Sequence, residues 1–71
     1  MENNLMKQFI EILRNDYGKA FDFLANNTWK FSKDELRNIS KELVYGIYMH
    51  VGDMDQDSLF EEVADELEDY C

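Results

Sequence analysis

The run Asp53-Met54-Asp55-Gln56-Asp57 places carboxylates at alternate positions. That is the spacing that opens a calcium-coordinating loop, whose positions 1, 3 and 5 supply oxygen ligands. Glu61, at position 9, would be an acceptable ligand. The rest does not suit the ion. Position 6 is Ser58 where glycine should turn the chain, and position 12 is Ala64 where a bidentate glutamate should close the shell. No metal site is expected. His50 is the single histidine. Acid–base or nucleophilic catalysis would need a second group in reach of it. Cys71, the single cysteine, is the last residue and a poor candidate. There is no Ser/His/Asp or Cys/His set, no glycine-rich phosphate loop and no zinc-ligand spacing. The expectation is a chain with no catalytic residue and no cofactor, hence not an enzyme. His50 reads as a half-buried residue near a helix C-terminus, where the helix dipole favours the charged ring.

The strongest chemical signal is electrostatic. Residues 1–50 hold seven acids and seven bases, whereas residues 51–71 hold nine acids and no base. The formal net charge of −9 therefore resides in the C-terminal segment. Solubility alone is served by interspersed signs. Segregated charge builds a field that attracts a cationic partner. Nucleic acid and anionic membranes are disfavoured as direct ligands, being anionic themselves. Within the segment, Glu61, Glu62, Asp65, Glu66, Glu68 and Asp69 fall on one helical arc of about 160°. Side chains three and four apart on a helix lie about 5–6 Å from one another, close to the spacing of phosphates along one DNA strand. These six carboxylates, with Asp53, Asp55 and Asp57 before them, are the expected contact surface for a basic protein. Tyr45 and Met49 form a second apolar strip on the preceding helix. They would be interface anchors, or that helix is covered on both sides, or the two residues are simply exposed. Trp29 is expected to plug one end of the bundle, or, if exposed, to be a hot-spot candidate.

These residues need helices to position them. The apolar spacing is helical throughout, and there is no proline. Leu5, Phe9, Ile12, Leu13, Tyr17, Phe21 and Leu24 recur at three- and four-residue steps over roughly 3–26. Asp16 and Gly18 interrupt that pattern, so the first helix is one piece or two pieces broken near 15–18. Ser32-Lys33-Asp34-Glu35 is a capping box that starts the next helix, with Phe31 and Leu36 placed as a hydrophobic staple. Its apolar face is read as Leu36, Ile39, Leu43, Val44, Ile47 and Val51, and Gly52 stops it. Ser58-Leu59-Phe60-Glu61 reads as a second capping box, opening an acidic helix over about 58–70. The expected fold is all-α: one domain over 1–71, a small three-helix bundle, or four helices if the first one breaks. The radius of gyration expected for this length is about 11 Å.

The short chain, the helical pattern, the missing catalytic set and the patterned carboxylates Glu61, Glu62, Asp65, Glu66, Glu68 and Asp69 resemble those of small inhibitors from phages and mobile elements. These are the nucleic-acid mimics and anti-CRISPR proteins. The resemblance covers mainly residues 51–71 and rests on no motif. It implies an inhibitor of a basic, nucleic-acid-handling partner such as a CRISPR effector or a nuclease. The balanced 1–50 half points to a mixed interface, to which Tyr45 and Met49 would add apolar contact. An immunity or antitoxin-type protein capping a basic toxin would look similar. A homodimeric helical module, acidic for solubility, is the third reading. The single cysteine and the lack of a signal-like or membrane-spanning run suggest a cytoplasmic setting, that of a bacterial host if the chain is phage-encoded.

Overall fold

A computed structural model describes residues 5–50, 52 and 55–70. Val51, Asp53, Met54 and Cys71 lie outside the described residues. Among these residues four α-helices follow one another: α1 Leu5–Asn15, α2 Tyr17–Asn27, α3 Lys33–His50 and α4 Gln56–Glu68, with a 3₁₀ turn at Thr28–Lys30 between α2 and α3. No strand occurs among the described residues. The radius of gyration is 11.6 Å.

The break near 15–18 is real, and its cause is chemical. Asp16 leaves the helical region (φ −161°, ψ 99°) and its carboxylate accepts from the amides of Gly18 and Lys19 at 3.1 and 3.3 Å. An aspartate on the apolar side of a continuous helix would be buried unpaired. As an N-cap it is exposed and satisfies two orphan donors of α2 instead. The Ser32 capping box is also present. Glu35 N donates to Ser32 Oγ at 3.1 Å, and Ser32 N donates to Glu35 Oε1 at 2.9 Å. Gly52, at φ +84°, takes the left-handed conformation that follows a helix end.

Two expectations about helices need correction. Helix α4 starts at Gln56, two residues before Ser58, because Asp55 is its cap. The Asp55 carboxylate accepts from Ser58 N at 2.8 Å. A carboxylate satisfies the same donors as a serine hydroxyl and adds charge at the positive end of the helix. The other correction concerns α3. Val44 and Ile47 are 67% and 44% exposed, so they are not part of its packing face. That face is Leu36, Ile39, Leu43 and Gly46. A side chain on Gly46 would meet Val63 Cγ2 at 2.8 Å, so the glycine is what lets α3 approach α4 closely.

The core joins Met6, Phe9, Ile10 and Leu13 of α1 to Phe60, Val63, Ala64 and Leu67 of α4, with Ala20, Phe31 and Ile39. Both helices bury residues at three- and four-residue steps, as amphipathic helices do. Phe60 stacks on Tyr17 at 4.7 Å between ring centres and meets the edge of Phe21 at 5.4 Å, which fixes α2 to the start of α4. Phe31 closes one end against Phe9 and Phe23. Trp29 does not plug the fold: it is 78% exposed, with Lys30 Nζ 5.1 Å above its ring. Arg14, at the end of α1, meets the middle of α4, and the Tyr17 hydroxyl donates to Gln56 at the start of α4. His50 meets Glu62, and Glu42 meets Tyr70. These pairs show α4 running antiparallel to both neighbours, with α1 on one flank and α3 on the other.

Candidate functional site

Placing α4 between two helices divides its acids into two stripes. Glu61, Asp65 and Glu68 lie on the α1 side, and Arg14 reaches all three. Its Nη1 is 2.6 Å from Asp65 and 3.9 Å from Glu61, and its Nη2 is 3.1 Å from Glu68. The guanidinium fork suits this role, since one planar group can serve several carboxylates. The Asp65 hydrogen bond favours the charged form of Arg14 most. Partial burial opposes that, and Glu68 adds to it, so the group is held more firmly protonated than usual. Arg14 is largely covered while its three partners stay mostly exposed. The stripe is thus a rim of solvent-facing carboxylates around a recessed cation. Sequence reasoning missed this relief, because Arg14 lies 51 residues from Asp65. Its position in the last turn of a helix that must pack somewhere was the available signal.

The second stripe faces α3. Glu62 Oε1 is shielded from solvent and lies 2.8 Å from His50 Nε2, in ion-pair contact without the alignment of a hydrogen bond. His50 is half-buried at the end of α3, as expected, and carries charge there only when protonated. Tyr70 donates to Glu42 Oε2 at 2.7 Å, which ties the end of α4 to α3. That bond, followed by burial and by the nearby acids, raises the Tyr70 phenol above its ordinary value. Glu42, Glu62 and Glu66 line one cleft between α3 and α4, with the Tyr45 ring and Gly46 beside them. His50 lines the cleft as well; Glu62 lies against it and Glu42 is held by Tyr70, so Glu66 is the carboxylate of the cleft left unengaged among the described residues.

The remaining expected residues fall as follows. Glu66 and Asp69 take part in no ion pair among the described residues, and Asp69 is exposed. Asp57 is exposed in the first turn of α4. Asp55 is exposed but engaged as a cap. The Ser58 amide and then its hydroxyl hold the Asp55 carboxyl below its usual range. Asp55 and Asp57 thus open a helix rather than a calcium loop, since residues 56 onward are helical. Tyr45 and Met49 are both exposed, 59% and 48%, so α3 is not covered on both sides. Tyr45 joins the acidic cleft, and Met49 follows one turn later.

Eight carboxylates lie within residues 55–70, and Arg14 offsets one unit of that charge. The surface remains strongly negative after folding. No helix of the described residues is long and apolar enough to cross a membrane. No family model, no curated protein and no solved structure matches this chain.

Proposed function

We propose that this chain is a non-enzymatic binding protein that inhibits a basic, nucleic-acid-handling partner, a CRISPR effector or a nuclease, through the acidic face of α4. One observation carries the reading. The carboxylates Glu61, Asp65 and Glu68 stay 58–63% exposed on a helix held on both flanks. A ladder of like charge destabilises its own helix. Here α1 and α3 hold that helix in place, so the charge is presented in a fixed geometry. Preorganised charge recognises a partner without an ordering cost at encounter. The cleft of Glu42, Glu62 and Glu66 beside Tyr45 would receive one basic side chain of that partner. The surface is then mixed, with electrostatic attraction for encounter and the Tyr45 ring for residence.

The test is a pull-down from a bacterial lysate with the wild type and with a Glu66→Lys/Asp69→Lys variant. These two positions are chosen because neither is ion-paired among the described residues. The wild type should capture nucleic-acid-binding proteins, release them in about 0.5 M salt as screening shortens the field, and yield them to added DNA or RNA. The variant should keep its helical circular dichroism and bind the captured protein about 100-fold more weakly, through slower encounter and like-charge repulsion. Equal capture by this variant at equal salt, and by a Glu61→Lys/Glu68→Lys variant that keeps its helical signal, would remove the acidic face as the site.

A further inference from the structure

We infer that the outer face of α3 is the interface of an antiparallel two-fold dimer with a second copy of this chain. The inference goes beyond the acidic face: it leaves the α4 carboxylates uncovered but covers Tyr45, so the dimer and a partner that uses the Tyr45 ring compete for that residue. Helix α3 packs on α4 through one side, and its opposite side carries Arg37, Lys41, Val44 and Tyr48 at helical steps, all exposed. Tyr48 is 79% exposed and Val44 67%. With Ser40 and Tyr45 they line a shallow groove along the helix, and Ile47 borders it. An apolar stripe of this length is what one helix presents to another.

The occupant follows from area and charge. A buried tyrosine contributes about 150–250 Å². The exposed parts of Tyr45 and Tyr48, with Val44, Ile47 and the stems of Arg37 and Lys41, make about 500 Å² per copy. Two copies reach about 1,000 Å², the lower bound for a specific interface. The charge pattern sets the direction. The N-terminal half of the face carries Lys33, Arg37 and Lys41 against Asp34, which lies 3.8 Å from Arg37, so it keeps a net positive charge, and the C-terminal half is apolar. An axis near residues 44–48 lays apolar half on apolar half. In an antiparallel pair the basic half of each copy then lies beside the C-terminal end of the other α3. That end carries the negative pole of the helix dipole and leads to the acidic Asp55. A parallel pair would set lysine against lysine. A head-to-tail contact on α4 would press tyrosines onto carboxylates, which need water.

The experiment uses the full chain. Sedimentation velocity from about 1 µM to 1 mM should show a monomer–dimer equilibrium in the micromolar range. Tyr48→Glu should abolish the dimer and leave circular dichroism unchanged, since the residue supports nothing in the monomer. Direction is read by pulsed dipolar spectroscopy on single spin labels in a Cys71→Ser background. Labels at Met49→Cys should lie within about 25 Å of each other, and labels at Asp34→Cys about 35–45 Å apart, from the rise of about 1.5 Å per residue on either side of the axis. A monomer at 1 mM, a dimer that survives Tyr48→Glu, or short distances at both labels would each overturn the inference.

Discussion

Helices α3 and α4 are neighbours in sequence and in space, yet they face water in opposite ways. Helix α4 is central: Phe60, Val63, Ala64 and Leu67 are buried, and what it exposes is carboxylate. Helix α3 is peripheral: it buries Ile39 and Gly46 fully and exposes Val44, Tyr45, Ile47, Tyr48 and Met49. The more charged helix is the better anchored one. A helix held by packing tolerates repulsion on its outer face, because the buried side supplies the stability that propensity does not. A helix packed on one side keeps apolar surface for a partner. Two kinds of surface are thereby separated, one charged on α4, the other apolar on α3.

The sharpest way to break this comparison is to cut each helix at its own defining residue. Leu67→Ala removes a fully buried side chain from α4 and should cost about 2–5 kcal/mol, enough to unfold a domain of this size. Tyr48→Ala on α3 should change the stability of the monomer by less than about 0.5 kcal/mol. Thermal melts at sub-micromolar chain concentration, where association does not contribute, measure both. Comparable losses in the two variants would show that α3 is as deeply integrated as α4.

Arg14→Ala is expected to have a smaller and two-sided effect. It leaves Glu61, Asp65 and Glu68 without their shared cation. Stability should fall by about 1 kcal/mol, an amount limited by the exposure of the carboxylates. Binding to a basic partner should tighten, and its salt dependence should steepen, because the face gains one net negative charge. Denaturant unfolding and affinity measured at two salt concentrations would report the two signs separately. Weaker binding would mean that Arg14 holds the carboxylates in their binding geometry rather than diluting their field.

The smallest effect concerns the start of α4 and depends on pH. The Ser58 amide and hydroxyl depress the folded-state carboxyl of Asp55 below its usual value of 3.8. A depressed acid stabilises the fold above the unfolded value and loses that contribution as pH falls through the folded one. Asp55→Ala should therefore lower the Tm at pH 7 by about 4–8 °C, the loss of one N-cap. The gap between variant and wild type should close as pH drops below about 4. Other carboxylates titrate in both proteins, so the difference isolates this cap. A gap unchanged at pH 2 would place the helix start elsewhere, and Ser58→Ala would then be the informative variant.

Much of this was legible in local sequence, and the reason is the range of the interactions. The Ser32/Glu35 box, the stop at Gly52 and the apolar and acidic arcs of α4 depend on residues within about one helical turn. The choice between one helix and two at Asp16 stayed open, because a misplaced aspartate predicts a break only if that side is truly buried. The fold buries that side of α1 through Phe9 and Leu13, and Asp16 turns to water as a cap. Asp55 displaced Ser58 for a related reason. Both are good caps, and the Asp55 carboxylate is the one that accepts from the Ser58 amide.

What the residue order determined by itself is the helical class, most helix boundaries and the segregation of charge into the C-terminal segment. Each is set by neighbours along the chain. What only the tertiary structure decided is which of two apolar stripes on α3 is buried, and which base reaches the acids of α4. On α3 the two stripes are of similar hydrophobicity, and Gly46 selects one of them by allowing Val63 within contact. On α4 the acids look unrelieved until α1 docks and brings Arg14 across 51 residues of chain. Periodicity identifies faces within one helix. It carries no information on which faces meet, because that depends on the shapes of two helices at once.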